Sequence, residues 1–74
     1  MEYLDSTHPE WQAMWQELAT HAINNGDPLC QYQGLGWEYM GSTDNHHNFR
    51  HPKHPVSGRV EHIYIERYAT AQLS

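Results

Sequence analysis

The residues best equipped for chemistry lie in one stretch, Asp44-Asn45-His46-His47-Asn48-Phe49-Arg50-His51-Pro52-Lys53-His54-Pro55. It holds four of the chain's seven histidines and two of its four Lys and Arg residues. A run this rich in imidazole gives a core little to bury and many polar groups to satisfy. Three kinds of chemistry fit it. An imidazole titrates near neutral pH and is the commonest catalytic acid or base, and His46 follows directly on the turn-forming pair Asp44-Asn45. Metal binding is the second. His47 and His51 lie four residues apart, roughly 13 Å along a strand, and neighbours such as His46 and His47 point to opposite faces. Only His51-x-x-His54, in a proline-rich loop, has a spacing that could converge on one ion. Neither Cys nor acidic residues add a second cluster, so zinc is not favoured and no cofactor is expected. Recognition of an anion is the third. Arg50, Lys53 and Arg59 could contact phosphate, and Phe49 or Tyr64 could stack on a base. For each histidine alone, an idle solvated ring is the commoner outcome, as core packing is for Phe49 and Trp37. The crowding of four histidines is what singles out the stretch.

These groups need elements to hold them. Upstream, Trp11, Met14, Trp15, Leu18, Ala22 and Ile23 recur on a 3.6-residue period and predict an amphipathic helix. Thr7-His8-Pro9-Glu10 reads as its start, with Thr7 as cap and Glu10 completing a capping box. Asn24-Asn25-Gly26 ends it, and Asp27-Pro28 prevents continuation. Segment 29–32 could be a short strand, and Gly34-Leu35-Gly36 is a turn signal. Aromatic-rich 37–40 reads as a strand, 41–45 as a polar turn, and 46–51 as the returning strand. The strongest strand pattern is 59–68. There Ile63 and Ile65 share a face with Glu61 and Arg67, while Val60, His62, Tyr64 and Glu66 take the other. The expected fold is α+β, one N-terminal helix on a three-stranded antiparallel sheet in the order α-β-β-β. One sheet face is then left open. Residues 1–6 show no period and read as a loose leader, and 69–74 as a loose tail of a single domain spanning 1–74.

Composition bounds the function. Seventy-four residues make one small domain, marginal alone, which a partner chain would help. A homodimer is therefore expected, through the long third strand at the sheet edge or through the helix stripe. Cys30 is the only cysteine, so there is no internal disulfide and the cytoplasm is the expected location. No apolar run is long enough for a membrane span, and the N-terminus lacks the pattern of a signal peptide. The formal net charge is −5 with histidines neutral. Residues 1–35 carry five acids and no Lys or Arg, while 36–74 balance four acids with four cations. The second half turns positive if its five histidines protonate. The acidic first half would suit a basic protein partner.

The segment 36–65 resembles the HicA family of small mRNA-cleaving toxins. That family's stretch runs from a Gly and an aromatic, through about eight variable residues, to Gly-Ser-His-His-x-Phe and often His-Pro. Gly36-Trp37 matches its start. Asp44-Asn45-His46-His47-Asn48-Phe49-Arg50-His51-Pro52 falls on its second part, with Asp44-Asn45 in place of Gly-Ser. Gly58-Arg59-Val60 matches the turn into the third strand. The resemblance implies a fold like a double-stranded RNA-binding domain and a metal-independent endoribonuclease. In it, His46 takes the place of the catalytic histidine, RNA is the substrate and an antitoxin-like protein is the partner. Arg50, Lys53 and Arg59 would contact phosphate. The alternatives left by the residues themselves are a non-catalytic binding module and a histidine-rich metal-binding protein.

Overall fold

The computed structural model describes residues 1–26 and 36–73. Helix α1 (Trp11–Asn24) is followed by strands β1 (Glu38–Ser42), β2 (His46–His51) and β3 (Glu61–Glu66), and then by a short helix α2 (Arg67–Leu73). The strands form one antiparallel sheet in the order β1-β2-β3. This is the α-β-β-β order read from the sequence, with a second helix added. The expectations for segment 29–32 and for the turn at Gly34-Leu35 lie outside the described residues. Among the described residues, no helix is long and apolar enough to cross a membrane.

The 3.6-residue stripe of α1 does what its spacing requires. Met14, Leu18 and Ala22 are buried, and they join Leu4, Trp37, Phe49 and Ile65 in the core. Trp11 and Trp15 pack partly buried against it. The Trp15 ring lies edge-on to Phe49 with centroids 5.0 Å apart, a favourable aromatic arrangement. Ile23 drifts off the stripe and is half exposed. Most of the stripe is therefore used within the chain, while Trp11 and Trp15 stay partly exposed.

The helix start differs from the capping box read in the sequence. Asp5 Oδ1 accepts hydrogen bonds from both the N–H and the hydroxyl of Thr7. His8 Nδ1 accepts the Glu10 N–H at 3.1 Å. The helix begins at Trp11, and Glu10 precedes it without a side-chain cap. Its carboxylate is turned inward instead. Residues 1–6 are not loose either. Glu2 and Ser42 exchange backbone hydrogen bonds of 2.8 and 2.7 Å, and Leu4 is buried in the core.

Strand β1 runs further than 37–40, because a bulge carries it on to Ser42. Tyr39 faces Phe49 and Ser42 faces His47, so Met40 and Gly41 together oppose Asn48. Gly41 has φ +99°, a conformation that costs glycine little and other residues more. The extra residue resets the alternation and brings Ser42 to the inner face beside Tyr39. Thr43 then closes the turn. Its N–H donates to the His46 carbonyl at 2.8 Å, and its hydroxyl oxygen accepts the His46 N–H at 3.1 Å.

Strand β2 alternates cleanly, with His47, Phe49 and His51 buried. Strand β3 is shorter than 59–68. Ile65 and Ile63 face inward as expected, and the Arg67 N–H still donates to the Asn45 carbonyl at 2.9 Å. The chain then turns into α2, which takes up most of the expected tail. Both helices lie over the inner face. The outer face presents His46, Asn48 and Arg50 on β2, opposite Glu66, Tyr64 and His62 on β3.

Candidate functional site

Two histidines adjacent in sequence have opposite fates. His47 is fully buried and engaged at both ring nitrogens. Its Nδ1 lies 2.6 Å from Ser42 Oγ, and its Nε2 lies 2.9 Å from Thr70 Oγ1 and 3.3 Å from Glu10 Oε1. The partners fix the proton positions. Glu10 is ionised and can only accept, so Nε2 carries the hydrogen and Nδ1 accepts from Ser42. The Ser42 oxygen then accepts a hydrogen bond from the Tyr39 hydroxyl, whose oxygen in turn accepts the Leu4 N–H at 3.1 Å. On the other side Thr70 donates to Glu10 Oε1 at 2.8 Å. Every link runs the same way, from Leu4 to Glu10, and such chains reinforce each other.

Arg67 anchors the charged end. Its guanidinium donates to Glu10 Oε2 at 2.7 Å, to Glu2 Oε1 at 2.6 Å and to the Thr43 carbonyl at 2.9 Å. The Arg67 hydrogen bond is the main reason the Glu10 carboxyl is held down at about 2, with Thr70 and the Arg67 and His47 charges adding to it against the cost of burial. Burial pushes His47 below the usual histidine range, against the pull of the Glu10 charge. The imidazole is therefore neutral at pH 7. A serine, an imidazole and a carboxylate in sequence suggest nucleophilic catalysis. Here the hydroxyl and the ring are both closed to solvent, and the Ser42 hydroxyl is already shared between His47 and Tyr39. The network ties α1, α2 and the 43–45 turn to the sheet, and its role is structural. Sequence reading missed it because Glu10 and Arg67 are 57 residues apart and Thr70 carries no signal of its own.

His46 stands on the outer face. Its backbone is held by the Thr43 turn, and its ring lies edge-on to Tyr64 with centroids 6.5 Å apart. Next along the same face, His62 lies parallel to Tyr64, at 6.3 Å and an interplanar angle of 6°. Tyr64 itself is 58% exposed. Arg50 is also on this face and donates from Nη2 to Glu38 Oε1 at 3.0 Å. His46 and Arg50 stand four residues apart on β2, roughly 13 Å along an extended strand. They do not converge on one phosphate group. Lys53 and Arg59 belong to the exposed loop between β2 and β3, at the far end of β2 from His46. The expected site residues thus spread along the sheet and do not close into one pocket.

His51 and His54 are brought together, with ring centroids 5.5 Å apart, and both lie edge-on to Trp37. Their Nδ1 atoms accept backbone N–H groups, from Lys53 and from Val56, at 3.2 Å each. In the neutral form each ring then carries its proton on Nε2. Metal binding through Nε2 needs the opposite tautomer, with Nδ1 donating. Each ring would have to give up its backbone donor to hold an ion. Among the described residues, no group of three or more His, Cys, Asp or Glu side chains is arranged to hold a metal.

Comparison with protein-family models, with curated proteins and with solved structures finds no match to this chain.

Proposed function

We propose that this chain is a small RNA-binding module of HicA-like architecture that takes single-stranded RNA across its outer sheet face. The observation that carries this reading is the line His46–Tyr64–His62, with the exposed Tyr64 ring between two imidazoles. An open sheet face with exposed rings is a common platform for unpaired bases. The order α-β-β-β-α, with both helices over the other face, agrees with the fold that the resemblance implies.

In the catalytic form of this reading, His46 is the general base. It takes the proton of a ribose 2′-OH, the 2′-oxygen attacks the adjacent phosphorus, and the 5′-oxygen leaves and is protonated by water. Among the described residues, neither ring nitrogen of His46 is engaged in a hydrogen bond, unlike those of His47. Arg50, Lys53 and Arg59 would hold neighbouring phosphates along the strand. Anisotropy titration with an unstructured RNA oligomer at low salt tests binding. Tyr64→Ala should weaken it by about 1–3 kcal/mol, the usual value of one stacked base. No binding by the wild type at low salt would overturn the proposal. His46→Ala should abolish cleavage while binding persists; equal cleavage by both proteins would remove the catalytic claim alone.

One feature favours a protein partner as the second reading. The groove between α1 and β3 is lined by Glu17, His21, His46, Tyr64 and Glu66, without Lys or Arg. A cationic protein segment suits it better than phosphate does. Co-purification with a basic protein and no RNA would select this reading.

A further inference from the structure

Among the described residues, the outer edge of β3 is an unpaired strand edge. The Arg67 N–H donates to the Asn45 carbonyl, which makes His46 and Glu66 a non-hydrogen-bonded pair. Ile65, Ile63 and Glu61 therefore turn their backbone groups toward β2. His62, Tyr64 and Glu66 turn theirs away from it. Among the described residues, no strand or bridge pairs with that edge. The opposite edge of the sheet differs, because Glu2 bridges to Ser42 there. Proteins usually blunt an open edge with Pro, Lys or a bulge. The sequence Glu61-His62-Ile63-Tyr64-Ile65-Glu66 has no Pro or Lys, and its pairing to β2 is regular. Open grooves flank this edge, one toward Glu17 and His21 of α1 and one toward Ala22 and Asn25.

We propose that the β3 edge pairs antiparallel with β3 of a second copy, about a twofold axis through Tyr64, to give one continuous six-stranded sheet. The inference does not rest on the RNA reading. Two constraints select the register. Directly opposed residues must turn their backbone groups alike, both outward or both inward, so His62, Tyr64 and Glu66 can only face one another. The side chains must also suit their partners. With Tyr64 on the axis, His62 of each copy faces Glu66 of the other, and Ile63 faces Ile65. Moving the axis to Ile63 would set the Glu61 carboxylate against Ile65. Moving it to Glu66 would oppose two carboxylates. The Tyr64 register alone places an imidazole opposite an acid twice and keeps apolar residues together. The facing pairs would exchange hydrogen bonds through backbone groups of His62 and Tyr64 that no strand pairs with among the described residues, with the Glu66 N–H joining them while its carbonyl opens α2.

Sedimentation velocity of the full chain between about 5 and 200 µM, a range that covers ordinary weak self-association, is the first test. A concentration-dependent dimer is expected, and a monomer throughout would overturn the proposal. Charge exchange then tests the register. His62→Glu sets like charges opposite each other at both pairs and should weaken the dimer by on the order of tenfold. Adding Glu66→Lys to it should restore association. If the double variant stays as weak as the single one, the register is wrong. Because both side chains are exposed on the outer face, folding should persist, and circular dichroism checks it. A third test needs no change of charge. In a Cys30→Ser background, Tyr64→Cys places two thiols on the axis, about 5.5 Å apart at Cα, within disulfide reach. Rapid oxidative cross-linking is expected there and not for Val60→Cys. Equal rates at both positions would overturn the Tyr64 axis.

Discussion

His46 and His47 show how one peptide bond can separate two chemistries. The strand alternation sends one imidazole to solvent and the other into the core. His47 sees Glu10 from just before α1, Thr70 from α2 and Ser42 from β1; burial is the main force against its protonation, and the Arg67 and His8 charges add to it. Its folded-state pKa lies below its unfolded value, so the unfolded chain binds a proton first as pH falls. Stability is full above the usual histidine range and is lost as pH drops through it. Glu10 adds a second loss in the same direction. Its carboxyl falls from 4.5 to about 2 on folding, so its contribution is present above 4.5 and disappears as pH falls toward 2. Together they predict a urea midpoint that declines from pH 7.5 to pH 5.5 and declines again below pH 4.5. The Glu10 step corresponds to on the order of 3 kcal/mol. His47→Gln keeps an amide in place of the ring but cannot titrate; it should lower stability at pH 7.5 and flatten the first decline. An unchanged slope would show that His47 is not its source. Ser42→Ala leaves His47 Nδ1 without a donor and should cost about 1–3 kcal/mol in the same urea assay.

Elements were legible where a periodic pattern dictated burial. The α1 stripe and the in-out alternation of β2 and β3 follow from side-chain spacing alone, and the core formed along those rows. Features set by distant partners were not legible. Glu10 has the position and type of a capping-box acid, yet the Arg67 guanidinium outcompetes the local backbone N–H as its partner. The strand pattern continues through Arg67 and Tyr68, but the strand ends at Glu66 and the chain enters α2 at Arg67, whose guanidinium pairs with Glu10. The site shows the same division. His46 was legible as a strand-start imidazole, although the structure leaves it only partly exposed, whereas the Glu38 partner of Arg50 appears only once β1 and β2 are in register. The bulge at Gly41 was hidden as well, because Gly-Ser reads equally well as a turn. The structure makes this glycine testable. A Cβ there would lie 2.7 Å from the Met1 sulfur, a flexible chain end that can move, so the main cost is the positive φ. Gly41→Ala should therefore destabilise by about 1–3 kcal/mol, the range for a strained backbone position. Truncating Met1→Ala in addition should recover little of it. Full recovery would show that steric contact, not backbone strain, sets the cost.

At the scale of the whole molecule, every Lys and Arg lies in the second half of the chain while acids are spread over both halves, and the outer face carries Glu66 and Arg50 together. A net charge of −5 opposes a polyanion at neutral pH. Binding of RNA to the outer face would therefore depend on the local charge of Arg50 and of the loop cations Lys53 and Arg59, and it should weaken with added salt. Glu38 offers a sharper test. It neutralises Arg50 on the outer face, where both side chains are about half exposed. Exposed pairs of this kind contribute little to stability, so Glu38→Gln should leave the fold intact. It should nevertheless release Arg50 to a phosphate. The variant should bind RNA more tightly than wild type, and its salt dependence should steepen by about 0.7 in log–log slope, the increment for one added contact to a single strand. An unchanged slope would place Arg50 outside the path of the RNA, even if binding itself is confirmed.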